Sequence, residues 1–352
     1  MYRKQSMSMI ALFVTMLSYA PTTPFVLCAQ SSEGQSAPET SEQLLQRAVR
    51  LTDILSGDIP SYRLTARVEA YDGKGQKKEG TYTLLWNSPT IWRDETTFLD
   101  YSQIRVARID KLLISRNPQV ISEQAFRVGG LFDLSLLLRT DPKVQVHKFK
   151  EKRNGGSSER LIEVTISGRE RKTVYLDGSV PVPIRIEYRG AANGSQYPYK
   201  DFDFEYQFGD YIQFHGLQFP RSISMFEANV LKYRLQVQEL GDATYRESDF
   251  VPPADSHWIR WCRYPERPKL ESPSAMNPAL PPQLHTGMPS SHAVISGIIA
   301  TDGQWHNLEV IKSAGSTVDS FWMNLLRRQR FQPAQCGQHP VELEMMMEFD
   351  YP

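Results

Sequence analysis

Tyr62-Arg63-Leu64-Thr65-Ala66-Arg67-Val68-Glu69-Ala70 carries an apolar side chain at every even position and a polar one at every odd position. Successive side chains of a strand point to opposite faces, so a period of two describes a strand with one buried face. Asp72-Gly73 and Gly75 supply a turn, and 81–86 reads as the returning strand. The same pattern repeats outward from this hairpin. Strands are expected around 91–98, 104–109, 111–115, 144–149, 161–166, 173–176, 182–188, 201–208, 211–214, 222–227 and 232–240. Two segments read as helical. In the first, Ser41 is placed to cap, Leu44, Leu45, Ala48, Val49, Leu51 and Leu55 form a stripe, and Gly57 is a natural stop. The second is the apolar stretch 129–138. Many short strands with few helices predict an α+β fold dominated by a large, curved antiparallel sheet.

The chain has 352 residues, 40% of them hydrophobic, which suits two domains with packed cores. Lys plus Arg and Asp plus Glu number 40 each, so nothing electrostatic points to nucleic acid as a partner. Arg3 and Lys4, the apolar stretch 9–17, Pro21, Pro24 and the small-residue site at Ala29 follow the order of a secretory signal. Cleavage after Ala29 is expected, since a cut after Ala20 would put Pro21 at the next position. The alternative is an uncleaved segment that anchors the chain to the inner membrane, although the apolar run falls short of the ~20 residues a span needs. Residues 30–40 are small and polar, a flexible leader. Export leaves two cysteines, Cys262 and Cys336, which either pair across the proline-rich joint or remain buried thiols.

The run Asp201-Phe202-Asp203-Phe204-Glu205-Tyr206-Gln207-Phe208 has one aromatic face and one acidic or amide face. Asp201, Asp203 and Glu205 read as a solvated face rather than a metal cluster, for no histidine or glycine-rich loop accompanies them. Phe202, Phe204, Tyr206 and Phe208 are either ordinary core or the wall of an apolar-ligand cavity, with core the plainer reading. The seven histidines show no metal-motif spacing, and no nucleophile elbow, phosphate loop or dinucleotide fingerprint occurs. Neither an enzyme activity nor a cofactor is therefore expected.

The step Gly216-Leu217-Gln218-Phe219-Pro220, the strand at 232–240 and Phe250-Val251-Pro252-Pro253 together resemble the final portion of LolA-like periplasmic domains. The resemblance implies a half-barrel of antiparallel strands closed by helices over residues 41–263, in a family whose members carry lipids or lipoprotein acyl chains. From 264 to 290 repeated prolines without periodicity mark a semi-extended linker.

Residues 291–352 read as strand, hairpin, strand, helix and strand. Ile295 opens the first strand, Asp302-Gly303 turns it, and Ser316 with Asp319 approximates a capping box. Val318, Phe321, Trp322, Leu325 and Leu326 form one helical stripe, ended by Pro333. Val341, Leu343, Met345, Met347 and Phe349 alternate with glutamates in a last strand. Asp302-Gly303, Ser313-Ala314-Gly315, Val318-Asp319, Arg330-Phe331, Pro333-Ala334, Gly337 and Pro340-Val341 resemble the C-terminal domain of the TonB family, a small ββαβ unit. That resemblance implies docking by strand addition, with Val341, Leu343, Met345, Met347 and Phe349 as the binding edge and an outer-membrane receptor as a partner. Energy-transducing members keep a membrane helix, so a cleavable N-terminus argues against transduction here. The expected function is that of a non-enzymatic exported envelope protein, linked to transport, that docks on an envelope partner through its C-terminal domain. The alternative is a periplasmic carrier holding a lipid or acyl chain in the half-barrel.

Overall fold

The computed structural model describes residues 39–72, 75–138, 145–154, 157–167, 170–190, 202–271 and 291–351. The secretory signal, Cys28, most of the leader, Asp201 and the linker from 272 to 290 lie outside them.

Thirteen strands make one sheet: β1 (Tyr62–Tyr71), β2 (Lys77–Ser88), β3 (Ile91–Phe98), β4 (Tyr101–Arg108), β5 (Lys111–Asn117), β6 (Gln145–Asn154), β7 (Ser157–Ser167), β8 (Glu170–Asp177), β9 (Pro183–Gly190), β10 (Phe202–Phe214), β11 (Leu217–Glu227), β12 (Val230–Asp242) and β13 (His257–Arg260). The order is β13-β5-β4-β3-β2-β1-β12-β11-β10-β9-β8-β7-β6. It consists of two antiparallel meanders, β1–β5 and β6–β12, joined where β1 pairs β12. The connection from β5 to β6 must then travel from one end of the sheet to the other. It does so through α2 (Glu123–Leu131) and α3 (Leu134–Leu138), while α1 (Ser41–Thr52) precedes the sheet. Helix α1 touches both β11 and β6, five places apart in the sheet, so the sheet curls around it.

The alternating pattern of β1 is realised as expected: Tyr62, Leu64, Ala66, Val68 and Ala70 are all buried. They join Trp86, Ile114, Leu235 and Phe219 in a core that α1–α3 fill with Leu44, Leu45, Val128, Phe132, Leu134 and Leu138. Three local readings are corrected. Helix α1 is capped by Thr40, one residue before Ser41, in a reciprocal box with Gln43. Ser122 caps α2, so the helical stretch begins well before Gly129 and breaks into two pieces at Phe132-Asp133. The segment 264–271, read as linker, instead holds β14 (Lys269–Leu270), which pairs with the C-terminal segment.

Beyond the linker, β15 (Ser291–Ile299), β16 (Trp305–Lys312) and β20 (Leu343–Tyr351) form a sheet in the order β16-β15-β20, with α4 (Ser316–Arg328) against one face. Between α4 and β20 run three short strands, β17 (Phe331–Gln332), β18 (Ala334–Cys336) and β19 (His339–Val341). The glycine of Asp302-Gly303 has φ +75 and its carbonyl accepts the Phe331 N–H at 2.9 Å. The expected capping box at Ser316 does not form, since the N-cap is Gly315 and it makes no side-chain cap bond. Asp319 instead accepts from Ser313 Oγ and from the Ala314 N–H at 2.9 Å, bracing the turn ahead of the helix.

Candidate functional site

Phe204, Tyr206 and Phe208 of β10 lie on the inner face of the curled sheet. Phe208 is buried in the core, and Phe204 and Tyr206 pack against that core while staying half-buried. The register sets Tyr206 between Ile186 of β9 and Met225 of β11, and Phe208 opposite Ile223. Tyr233 of β12 lies opposite Met225. Burial raises the Tyr206 phenol above its ordinary pKa against the opposing charge of Arg127, and Tyr233 shifts the same way. Lys172 shares this face. It sits opposite Tyr188 and shares one face of β8 with buried Val174 and Leu176. Burial, aided by the like charge of Arg267, pushes its ammonium down to about 7. Phe202 opens β10 opposite Gly190.

The described acidic residues Asp203 and Glu205 of the same strand have partners of their own. Asp203 meets Arg189 at 3.4 Å, and Glu205 accepts from Gln207 at 2.6 Å. Among the described residues no group of three or more His, Cys, Asp or Glu is placed to hold an ion.

The C-terminal sheet uses both its faces. Ala293, Ile295, Ile299, Met345, Met347 and Phe349 turn toward α4, where Phe349 stacks on Trp322 at 4.2 Å. The other face meets the large sheet and its helices. Ile298 joins the large core, and Glu344 accepts two hydrogen bonds from Arg116 at 2.7 and 2.8 Å. Glu348 pairs with Arg127 of α2, the same guanidinium that acts on Tyr206 and Tyr233. The alternating glutamates, readable as a solvated face, are thus the docking face. Val341 is not part of this strand. It is buried in β19 opposite Ala334, and the ladder is interrupted at Glu342, whose N–H bonds the Arg260 carbonyl.

A strap of chain after β13 completes the attachment. Cys262 and Cys336 are bonded, with Cα atoms 6.3 Å apart. Glu266 and Gln335 exchange main-chain bonds, and β14 pairs with β17. Next to the disulfide, Arg263 meets Asp53 at 3.0 Å and Asp133 at 3.8 Å, and its guanidinium lies over Tyr264 at 4.5 Å. No spacing in the sequence announces this hub, since its partners lie in the α1–β1 loop and between α2 and α3. A cleft of about 180 Å³ remains at the seam, lined by Arg116, Ile121, His257, Ile298, Asn307 and Glu344. Burial and then the Arg116 charge lower the His257 pKa. On the outer face of the sheet a polar groove of about 540 Å³ runs beside Arg63, Thr83, Arg93, Glu95, Tyr245 and Asp249.

No family model and no curated protein matches this chain. Solved structures similar to it include a LolA-superfamily protein from Nitrosomonas europaea, at TM-score 0.41 and 10% identity, covering 60% of this chain and 97% of that one. Another is a putative outer-membrane lipoprotein-sorting protein domain from Vibrio parahaemolyticus, at TM-score 0.38 and 14% identity, covering 58% and 97%. A third is the MucA/MucB complex of Pseudomonas aeruginosa, at TM-score 0.27 and 15% identity, covering 74% of this chain and 80% of that one. The TonB-like reading of 291–352 therefore stays one of sequence pattern. Among the described residues no helix is long and apolar enough to cross a membrane.

Proposed function

We propose that this chain is a non-enzymatic binding protein of the bacterial periplasm that holds an apolar chain, from a lipid or an acylated protein, against the inner face of its curled sheet. The observation that carries the reading is the placement of Phe204 and Tyr206. Both point inward and pack against the core, each keeping part of its surface accessible. Aromatic surface turned inward next to a finished core is what an apolar ligand needs, and the C-terminal sheet sits close by through Arg127 and Glu348. Export by the N-terminal signal, cleaved after Ala29, would deliver the chain to the compartment where its disulfide persists.

The reading is tested by titrating the purified protein with N-phenyl-1-naphthylamine and displacing the dye with dodecanoate. Saturable dye binding that dodecanoate competes away, and that Phe204→Asp reduces at least tenfold with the melting transition retained, is the expected result. Dye binding that ignores both dodecanoate and the substitution would overturn it. Tyr206→Ser serves as a milder variant should Phe204→Asp fail to fold.

A second reading draws on the place of β20 at the end of its three-stranded sheet. There an envelope partner, such as an outer-membrane receptor, would add a strand along Leu343–Tyr351. The glutamates of that strand are already committed to the large domain, so only its main-chain edge would be offered.

A further inference from the structure

We propose that the outer corner of the large sheet, where β4, β5 and β13 lie side by side, docks on an anionic phospholipid surface. The register puts Arg108 of β4 opposite Lys111 of β5, and Lys111 opposite Arg260 of β13. Ala107, Leu112 and Ile259, one residue further along the three strands, are all buried in the core, so alternation turns the three cations to the outer face. Like charges directly opposite one another on neighbouring strands destabilise a sheet. None of the three side chains forms an ion pair with a described residue. Arg108 donates to the Phe250 carbonyl at 3.0 Å, and the Lys111 ammonium lies over the Trp258 ring at 5.0 Å. Asp110 in the turn and Glu342, whose carboxylate accepts the Arg260 N–H at 2.7 Å, flank the row without pairing with it. A row of cations kept at this cost is matched by a surface that presents phosphates.

Two exposed apolar side chains accompany the row. Trp258, two residues before Arg260 and on the same face of β13, keeps 55% of its surface exposed, and Ile109, in the turn between Arg108 and Lys111, keeps 74%. Ile109 has φ +57, where a β-branched residue is strained and glycine or asparagine is not. The turn thus holds an apolar side chain outermost at a cost to itself. A tryptophan ring with a cation over it suits the headgroup layer, where ring and charge each find their own medium. Arg246 and Glu247, which line a cleft with Ile109, offset each other in charge. An acidic protein would satisfy the cations equally, but an apolar side chain at the apex of a turn suits insertion between headgroups better than contact with a folded surface. This corner lies on the other face of the sheet from Phe204 and Tyr206, and the inference does not rest on the ligand reading.

The test is co-sedimentation of the full chain with vesicles of phosphatidylethanolamine containing about one-third phosphatidylglycerol. Binding is expected to these vesicles, to fall away in about 0.5 M salt, and to be absent with phosphatidylcholine vesicles. Lys111→Glu combined with Arg260→Glu should weaken it at least tenfold. Ile109→Gly should weaken it too, and since glycine accepts φ +57 without strain, that variant should melt no lower than the wild type. Brominated acyl chains should quench part of the tryptophan emission, and Trp258→Phe should remove that part. A wild type that ignores the anionic vesicles, or a Lys111→Glu, Arg260→Glu variant that binds them as well as the wild type, overturns the proposal. Vesicles left unbound while a labelled peptide of alternating Glu and Leu is held through the same row overturn it in favour of an acidic protein partner.

Discussion

Arg116 and Glu344, 228 residues apart in the chain, form a two-bond ion pair in which both side chains are nearly buried, at 6% and 11% exposure. The guanidinium is oriented from behind by Gln103, which accepts its Nε–H at 2.8 Å. Residues of the large sheet thus prepare a seat for one carboxylate of the last strand.

Removing one partner of such a pair leaves the other charge buried and costs about 3–5 kcal/mol, whereas replacing both with apolar groups is often neutral. Arg116→Ala and Glu344→Ala should each lower the urea midpoint strongly. The double substitution to Met should recover most of the loss. Urea unfolding of the four proteins checks this.

Lys172 gives a pH-dependent expectation. Its pKa falls from 10.5 in the unfolded chain to about 7 in the folded one, through burial and then the Arg267 charge. Between those values the unfolded chain binds more protons, so this residue makes stability rise with pH from about 7 to 10.5, and its penalty is complete below about 7. Lys172→Met should therefore stabilise the protein most at pH 7 and below, and the advantage should vanish above pH 10.5. Unfolding midpoints measured at steps of about one pH unit between about pH 6 and 11 check it.

Gly303 turns the β15–β16 hairpin at φ +75, and a Cβ there would collide with the Phe331 carbonyl oxygen. Gly303→Ala combines backbone strain of about 1–3 kcal/mol with loss of the close approach that holds β17. Hydrogen exchange should show the C-terminal segment loosened and β1 unaffected. Gly130→Ala, in α2 with open space around it, should be tolerated.

The strands of β1–β5 could be read directly because each has one buried face, and a period of two survives in the sequence when burial alternates. The pairing of β1 with β12 could not, since it depends on where the β5–β6 connection travels. The four-residue β13 was missed for a different reason. Its sequence His257-Trp258-Ile259-Arg260 has only Ile259 buried, too little to show a period. In β20 the alternation was visible, but its meaning was not. A glutamate on a strand looks alike whether it faces water or Arg116, and only the tertiary arrangement brings residues 116 and 344 together. The aromatic face of β10 was equally visible, while the fuller burial of Phe208 than of Phe204 and Tyr206 is a matter of tertiary packing that the strand's own pattern does not carry.

The most direct test of the central claim is native mass spectrometry of the mature protein prepared from a bacterial envelope fraction. The account predicts a lipid-sized adduct on the wild-type chain that is absent from Phe204→Asp. A bare protein mass for the wild type, under conditions that retain adducts on a known lipid carrier, would contradict it.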